Sequence, residues 1–299
     1  MATELTRQLE SKLADQDLAP GSVERILLDV AQFEEHFRGS NGEPLDPANP
    51  ALTSLDLAEW RQHLQLRGAK PATLHRKFAS LRKAMSLLAP ERMLQLRWPK
   101  LPRITNPSPS AFTRPEFRAL LRGAEQLSVR DAAIINLAVW TGARASTLAA
   151  AKLSKVTLQP RSGLIEYDVA KGGHPYRVPL NAEARAALAR WIAERPQVDH
   201  DFLFTSERWP HQPIGAWTIH HTWHRRLAKH VPASLAAQLH GSHQARHNLA
   251  RTLLEDGTPL PDIAAILNHK SVATTANIYC RPSQHDLEKA LERLVGEEA

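Results

Sequence analysis

The side chains with the strongest claim to chemistry lie in the second half of this sequence. They are Arg144 behind Thr141-Gly142-Ala143, Lys171 beside Gly172-Gly173, His243 and Arg246 in one short run, His269 behind Leu267-Asn268, and Tyr279 ten residues later. Guanidinium is planar, permanently charged and bidentate, so two arginines can clamp the non-bridging oxygens of a phosphodiester without a metal. His243 precedes Arg246 by three residues, a spacing that puts both on one face of a helix and lets the imidazole reach the same phosphate or a nucleophile. Asn268 tolerates left-handed backbone better than most residues and can hold a turn ahead of His269. Transesterification of a phosphodiester needs charge neutralised on its oxygens, a hydroxyl activated and the leaving oxygen protonated.

Each piece also has an ordinary explanation. Arg144 alone is a salt-bridging helix arginine, Lys171 a solvated loop lysine and Tyr279 a half-buried helix tyrosine. His243 with His247, and His220 with His224, have the spacing of zinc ligands, but they lack the intervening Glu of a metalloprotease helix and a third ligand, so no metal site is expected. The joint arrangement outweighs the separate explanations because tyrosine is scarce. Tyr167, Tyr176 and Tyr279 are the only ones, and the first two fall in expected strands.

The elements that must position these groups are mostly helical. In a chain of 299 residues, long enough for two domains, the formal charge of +7 is unevenly spread. Residues 1–59 sum to −8, residues 60–105 to +10 and the remainder to +5. Within the basic stretch, Leu74, Phe78, Leu81, Met85 and Leu88 form a helical stripe over Pro71 to Leu88. Arg76 and Lys83 fall opposite it, with Lys77 and Arg82 on its flanks. Val23 to Phe37 and Leu55 to Leu66 also read as helices, and no strand is expected before residue 150. Four prolines between Trp98 and Ser110 predict an extended linker. Thr113-Arg-Pro-Glu116 then has the form of a capping box. The segments 163–169 and 175–180 predict a hairpin, and helical periodicity returns from Asn181. The single Cys280 excludes a disulfide framework, and the absence of any long apolar run leads to the expectation of a cytoplasmic protein.

From about residue 113 to 282, these motifs and their order resemble the tyrosine recombinase, or phage integrase, family. The resemblance implies a mainly α fold: a helical, SAM-like core-binding domain over 1–105, a linker over 106–112, and a mainly helical catalytic domain with a small antiparallel sheet over 113–299. Together these would form a C-shaped clamp on DNA. It further implies that Arg144 and Arg246 clamp the phosphate, that His243 serves the phosphate or the nucleophile, that His269 donates to a phosphate oxygen, that Lys171 protonates the leaving 5′ oxygen, and that Tyr279 is the nucleophile forming a 3′-phosphotyrosyl linkage. No nucleotide or metal cofactor is needed. The expected partner is double-stranded DNA with an inverted-repeat core site. On it a chain that is monomeric when free would assemble as a homo-tetramer and exchange strands through a Holliday junction, in a cytoplasmic, nucleoid-associated setting.

Arg76, Lys77, Arg82, Lys83, Arg225, Arg226 and Lys229 are the expected DNA contacts. Leu287, Leu291 and Leu294 form a stripe on a tail helix that would fold back on its own domain or dock on a neighbouring protomer. Thr147 departs from the family, which commonly has an acidic residue three positions after the first arginine. The layout is that of a compact, Xer-like recombinase. The alternatives are a type IB topoisomerase-like enzyme and a non-catalytic DNA-binding protein that retains the fold.

Overall fold

Helical periodicity governs the first hundred residues, and the computed structural model has helices at the expected places. It describes residues 4–18, 20–38, 47–104, 111–168, 175–269 and 271–279. The chain divides into two compact units, Met1–Asn106 and Pro107–Ala299.

The first unit contains helices α1 (Glu4–Ala14), α2 (Pro20–His36), α3 (Ser54–Leu66), α4 (Pro71–Leu88) and α5 (Pro90–Gln95). Pro71 opens α4 in the first turn, where its missing N–H costs nothing. Leu74, Phe78, Leu81 and Met85 are buried as their spacing requires, and they share a core with Leu9 and Leu13 of α1, Val30 and Phe33 of α2, and Leu57, Trp60 and Leu64 of α3. Phe33 and Trp60 meet edge to face at 5.7 Å.

The proline-rich run that starts at Trp98 packs against this unit up to Pro102, inside the 1–105 bounds that the resemblance implies, and one expectation changes. Trp98 packs on Phe78 at 6.3 Å and beneath the guanidinium of Arg82 at 4.7 Å, and His75 Nε2 lies 2.9 Å from the carbonyl of Pro102. Lys77, placed by the helical wheel on an exposed flank, is 7% exposed. The reason lies on α2. Its buried Asp29 pairs with Arg76, lies 3.6 Å from the Lys77 ammonium and accepts a hydrogen bond from Ser80 at 2.8 Å.

The second unit is built around α7 (Val129–Thr141), buried along most of its length, with α6 (Arg114–Ala124) before it. The Thr113–Glu116 capping box starts α6: the Thr113 hydroxyl accepts from Glu116 N, and Glu116 accepts from Thr113 N at 2.8 Å. After α7 come α8 (Ala145–Ala149), strands β1 (Val156–Leu158), β2 (Gly163–Tyr167) and β3 (Tyr176–Pro179), and α9 (Ala182–Glu194). The strands form an antiparallel meander in which Ile165 pairs with Val156 and Val178, and Tyr167 with Tyr176. The sequence marked only the last two strands. The chain continues through α10 (Ala216–His221), a π-helical turn over Thr222–Arg226, a 3-10 turn over Leu227–His230, α11 (Ala233–Ala236), α12 (His243–Glu255), α13 (Leu260–Ile266) and α14 (Val272–Tyr279). No helix among the described residues is long and apolar enough to cross a membrane.

Two turns set the site. Gly142 ends α7 with φ +60°, a conformation that favours glycine, and a Cβ there would meet Leu267 Cδ2 at 2.7 Å and force that side chain to shift. Asn268 ends α13 with φ +49°, the sole positive φ outside glycine among the described residues. The N–H of Asn268 donates to Ala265 O at 3.0 Å and that of His269 to Ala264 O at 2.9 Å. These are the paired bonds of a left-handed helix stop, and they fix the backbone of His269 as part of the stop itself. Asn268→Gly is expected to preserve folding stability, whereas Asn268→Val should lower it by about 1–2 kcal/mol, measurable by urea denaturation.

Candidate active site

Arg246 lies one turn into α12 and is 2% exposed. Burying a guanidinium demands acceptors, and two backbone carbonyls supply them. Nη1 donates to Gly142 O at 2.9 Å, and Nη2 donates to Leu267 O. Gly142 is two residues before Arg144, and Leu267 is two residues before His269. One side chain therefore ties together the loops that carry two other candidate residues. The packing agrees, since Leu249 of α12, Leu267 and Ile263 form one small apolar cluster beneath these loops.

Arg144, the N-cap residue of α8, is half-buried. Among the described residues no side-chain carboxylate pairs with it. His243 opens α12 and His247 follows a turn later, the two rings meeting edge to face at 4.6 Å. Among the described residues no group of three or more His, Cys, Asp or Glu side chains is placed to hold a metal ion. His269 Nδ1 lies 2.7 Å from the Thr275 hydroxyl on α14.

The electrostatics show how closely these groups are gathered. Desolvation, then the charges of Arg246 and Arg144, holds His243 below the ordinary imidazole value. The same causes in the same order push His269 down to about 4. Desolvation, then His243 and Arg246, does so for His247, also to about 4. Neutral histidines beside guanidinium groups give a site whose positive charge is concentrated on the arginines.

Tyr176, which the sequence marked only as a strand tyrosine, belongs to this neighbourhood. Burial pushes its phenol up, and the charges of Arg246 and Arg144 oppose that shift. Its hydroxyl lies close to that of Thr147, which is buried where the family commonly has an acid. The Tyr176 ring packs on Tyr167 at 5.2 Å, and the Tyr167 hydroxyl is 3.1 Å from that of Thr141 at the end of α7. A chain of packed and hydrogen-bonded groups thus links the base of the β2–β3 hairpin to the α7 turn. Lys171 itself lies outside the described residues, as does the expected tail helix. Of Tyr279 the backbone is described, and it ends α14.

The expected surface cations have different environments. Arg225 and Lys229 are exposed on the turns after α10. Arg226 on the same turn contacts Asp131 at 2.6 Å and Glu207 at 2.9 Å. Asp131 is buried and also holds Arg130, so Arg226 helps to neutralise the interior. In the first unit Lys83 donates to Gln16 at 2.9 Å, and Arg82 is exposed over Trp98.

Residues 111–285 match the phage integrase family. The tyrosine recombinase XerD of Caulobacter vibrioides is 30% identical over 227 residues, covering 72% of this chain and 72% of that protein. The putative integrase/recombinase y4rF of Sinorhizobium fredii is 33% identical over 155 residues, 50% of this chain, and the match spans 35% of that longer protein. The fold is similar to that of the Tn1549 transposon integrase in complex with circular intermediate DNA, with TM-score 0.71 at 17% identity over 97% of this chain and 99% of that one. It is equally similar to XerH bound to a palindromic difH substrate, with TM-score 0.71 at 19% identity over 96% of this chain and 94% of that one.

The depressed histidines make stability depend on pH. His247 and His269 titrate near 4 in the folded state and near the ordinary 6.5 when unfolded, so between those values the unfolded chain binds more protons. Stability is expected to be complete above about pH 6.5 and to fall as the pH drops towards 4. Urea midpoints followed across that range should decline, and His247→Gln should flatten the decline.

Proposed function

The chain belongs to the phage integrase family of tyrosine-type site-specific recombinases, and from that premise we propose that it breaks and rejoins DNA with Tyr279 as the nucleophile. One observation carries this reading for the chain's own residues. Buried Arg246 braces the loops of Arg144 and His269 around a cationic, carbonyl-supported site, and α14, which hydrogen-bonds to His269, ends at Tyr279.

In the proposed reaction the two guanidiniums take the non-bridging oxygens and counter the charge that builds as phosphorus becomes five-coordinate. His243 and His269 are neutral at physiological pH and can hydrogen-bond to the same phosphate. The Tyr279 oxygen attacks phosphorus as its proton passes to the neutral imidazole of His243, the bond to the 5′ oxygen breaks, and Lys171 gives that oxygen a proton. The product is a 3′-phosphotyrosyl linkage, which a 5′ hydroxyl from another strand can attack to release tyrosine. No energy-carrying cofactor is required, because the phosphodiester energy is kept in the linkage.

The finer picture continues as a proposal. Residues 1–105 and 113–299 form the DNA-binding and catalytic domains, joined by 106–112 and gripping an inverted-repeat duplex site. Strand exchange proceeds in a tetramer through a Holliday junction. Arg82, Arg225 and Lys229 are exposed and suited to phosphate contact. Arg76 and Lys83 can add to the field, whereas Lys77 and Arg226 act mainly inside the fold.

A nicked suicide substrate tests the assignment. Wild-type protein is expected to become covalently trapped on it, and Tyr279→Phe should abolish trapping while leaving the gel-shift affinity intact. Covalent complex in the variant would remove Tyr279 as nucleophile. Binding without any complex in the wild type would favour a non-catalytic DNA-binding protein. Relaxation of supercoiled DNA without joining of partner strands would favour the topoisomerase-like alternative.

A further inference from the structure

Thr275 is 0% exposed, and its hydroxyl lies 2.7 Å from His269 Nδ1. It stands on α14, one turn before the terminal Tyr279. A neutral imidazole has one donor nitrogen and one acceptor nitrogen, so this contact has only two possible forms. Either the threonine donates and Nε2 carries the ring hydrogen, or Nδ1 donates and Nε2 is a bare acceptor.

The substrate proposed for this site decides between them. With Nδ1 occupied by Thr275, Nε2 is the nitrogen left for substrate. A phosphodiester held by Arg144 and Arg246 offers only oxygen lone pairs, and a bare Nε2 would face them as acceptor against acceptor. A protonated Nε2 makes a hydrogen bond instead, and it requires a donor at Nδ1. A threonine hydroxyl meets that requirement, while a backbone carbonyl or a carboxylate would impose the opposite tautomer.

We propose that Thr275 is a positioning residue that locks His269 in the tautomer with hydrogen on Nε2, so that seating of the helix bearing the nucleophile also arms the histidine as a phosphate donor. The proposal rests on the reading of His269 as a phosphate ligand. Its wider consequence is that one hydrogen bond makes two parts of the active site mutually dependent. If α14 leaves its seat, the histidine loses the partner that orients its ring and fixes its hydrogen.

Two measurements test this. A long-range proton–nitrogen correlation spectrum of the DNA-free protein should show His269 with Nε2 protonated and Nδ1 a hydrogen-bonded acceptor. Thr275→Ser should preserve that signature and Thr275→Val should lose it. A protonated Nδ1 in the wild-type protein would overturn the proposal whatever the activity. In the second measurement, single-turnover cleavage of a suicide substrate at saturating protein, Thr275→Val should slow the reaction about tenfold, the value of one lost hydrogen bond. DNA affinity should be unchanged and Thr275→Ser should restore the rate. In a His269→Gln background the valine substitution should have no further effect. An equal loss in both backgrounds would mean that Thr275 acts only through packing, and the proposal would fall. Undiminished cleavage by His269→Gln itself would overturn the role of His269, independently of the spectrum.

Discussion

A guanidinium cannot be buried without acceptors for its N–H groups, and in the second unit that demand is met at the ends of two helices. Arg246 takes the carbonyls of Gly142 and Leu267, where α7 and α13 stop. Both stops use left-handed backbone, glycine in one and asparagine in the other. The turns, the arginine and the small apolar cluster beneath them therefore form one mutually dependent assembly. If the arginine is removed, two buried carbonyls lose their donor. A side chain at position 142 would strike Leu267, itself part of the second turn. Arg144 and His269 inherit their places from this arrangement.

Positive charge is handled differently elsewhere in the chain. Asp29 in the first unit and Asp131 in the second are buried carboxylates, each with a cation close by on another helix or turn. Arg76, Lys77 and Arg226 partner these acids, so part of the basic excess serves to make a buried acid tolerable. Removing either acid would leave cations at the domain interior without compensation, a loss of several kcal/mol in comparable buried pairs. At the candidate active site Arg246 donates to two backbone carbonyls, acceptors that carry no formal charge. Carboxylates thus balance the cations of the two interior clusters, and backbone carbonyls hold the guanidinium at the candidate site.

What could be seen in the sequence was whatever a single segment determines. The stripe of α4, the Thr113–Glu116 cap, the Gly142 break and the Asn268 turn each follow from residues within a few positions of one another, and the structure has all of them. Lys77 was misplaced on the surface because its burial depends on Asp29, forty-eight positions earlier and on another helix. Prolines between Trp98 and Ser110 mark extended backbone but cannot show that Trp98 packs on Phe78. The candidate site was legible as an ordered set of residue types. Thr275 and Tyr176 stayed hidden, since threonine in a helix and tyrosine in a strand are ordinary until the fold brings them to His269 and Arg246.

The cluster of His243, His247 and His269 is kept neutral by its own desolvation and by the arginines among which it sits. A phosphodiester bound there would add a negative charge that opposes the field of the arginines. Each imidazole then becomes easier to protonate than it was in the empty site. Proton affinity at these rings and the binding of an anion are thereby linked. An anion in the site thus acts on the proton affinity of these imidazoles in the direction opposite to the arginines.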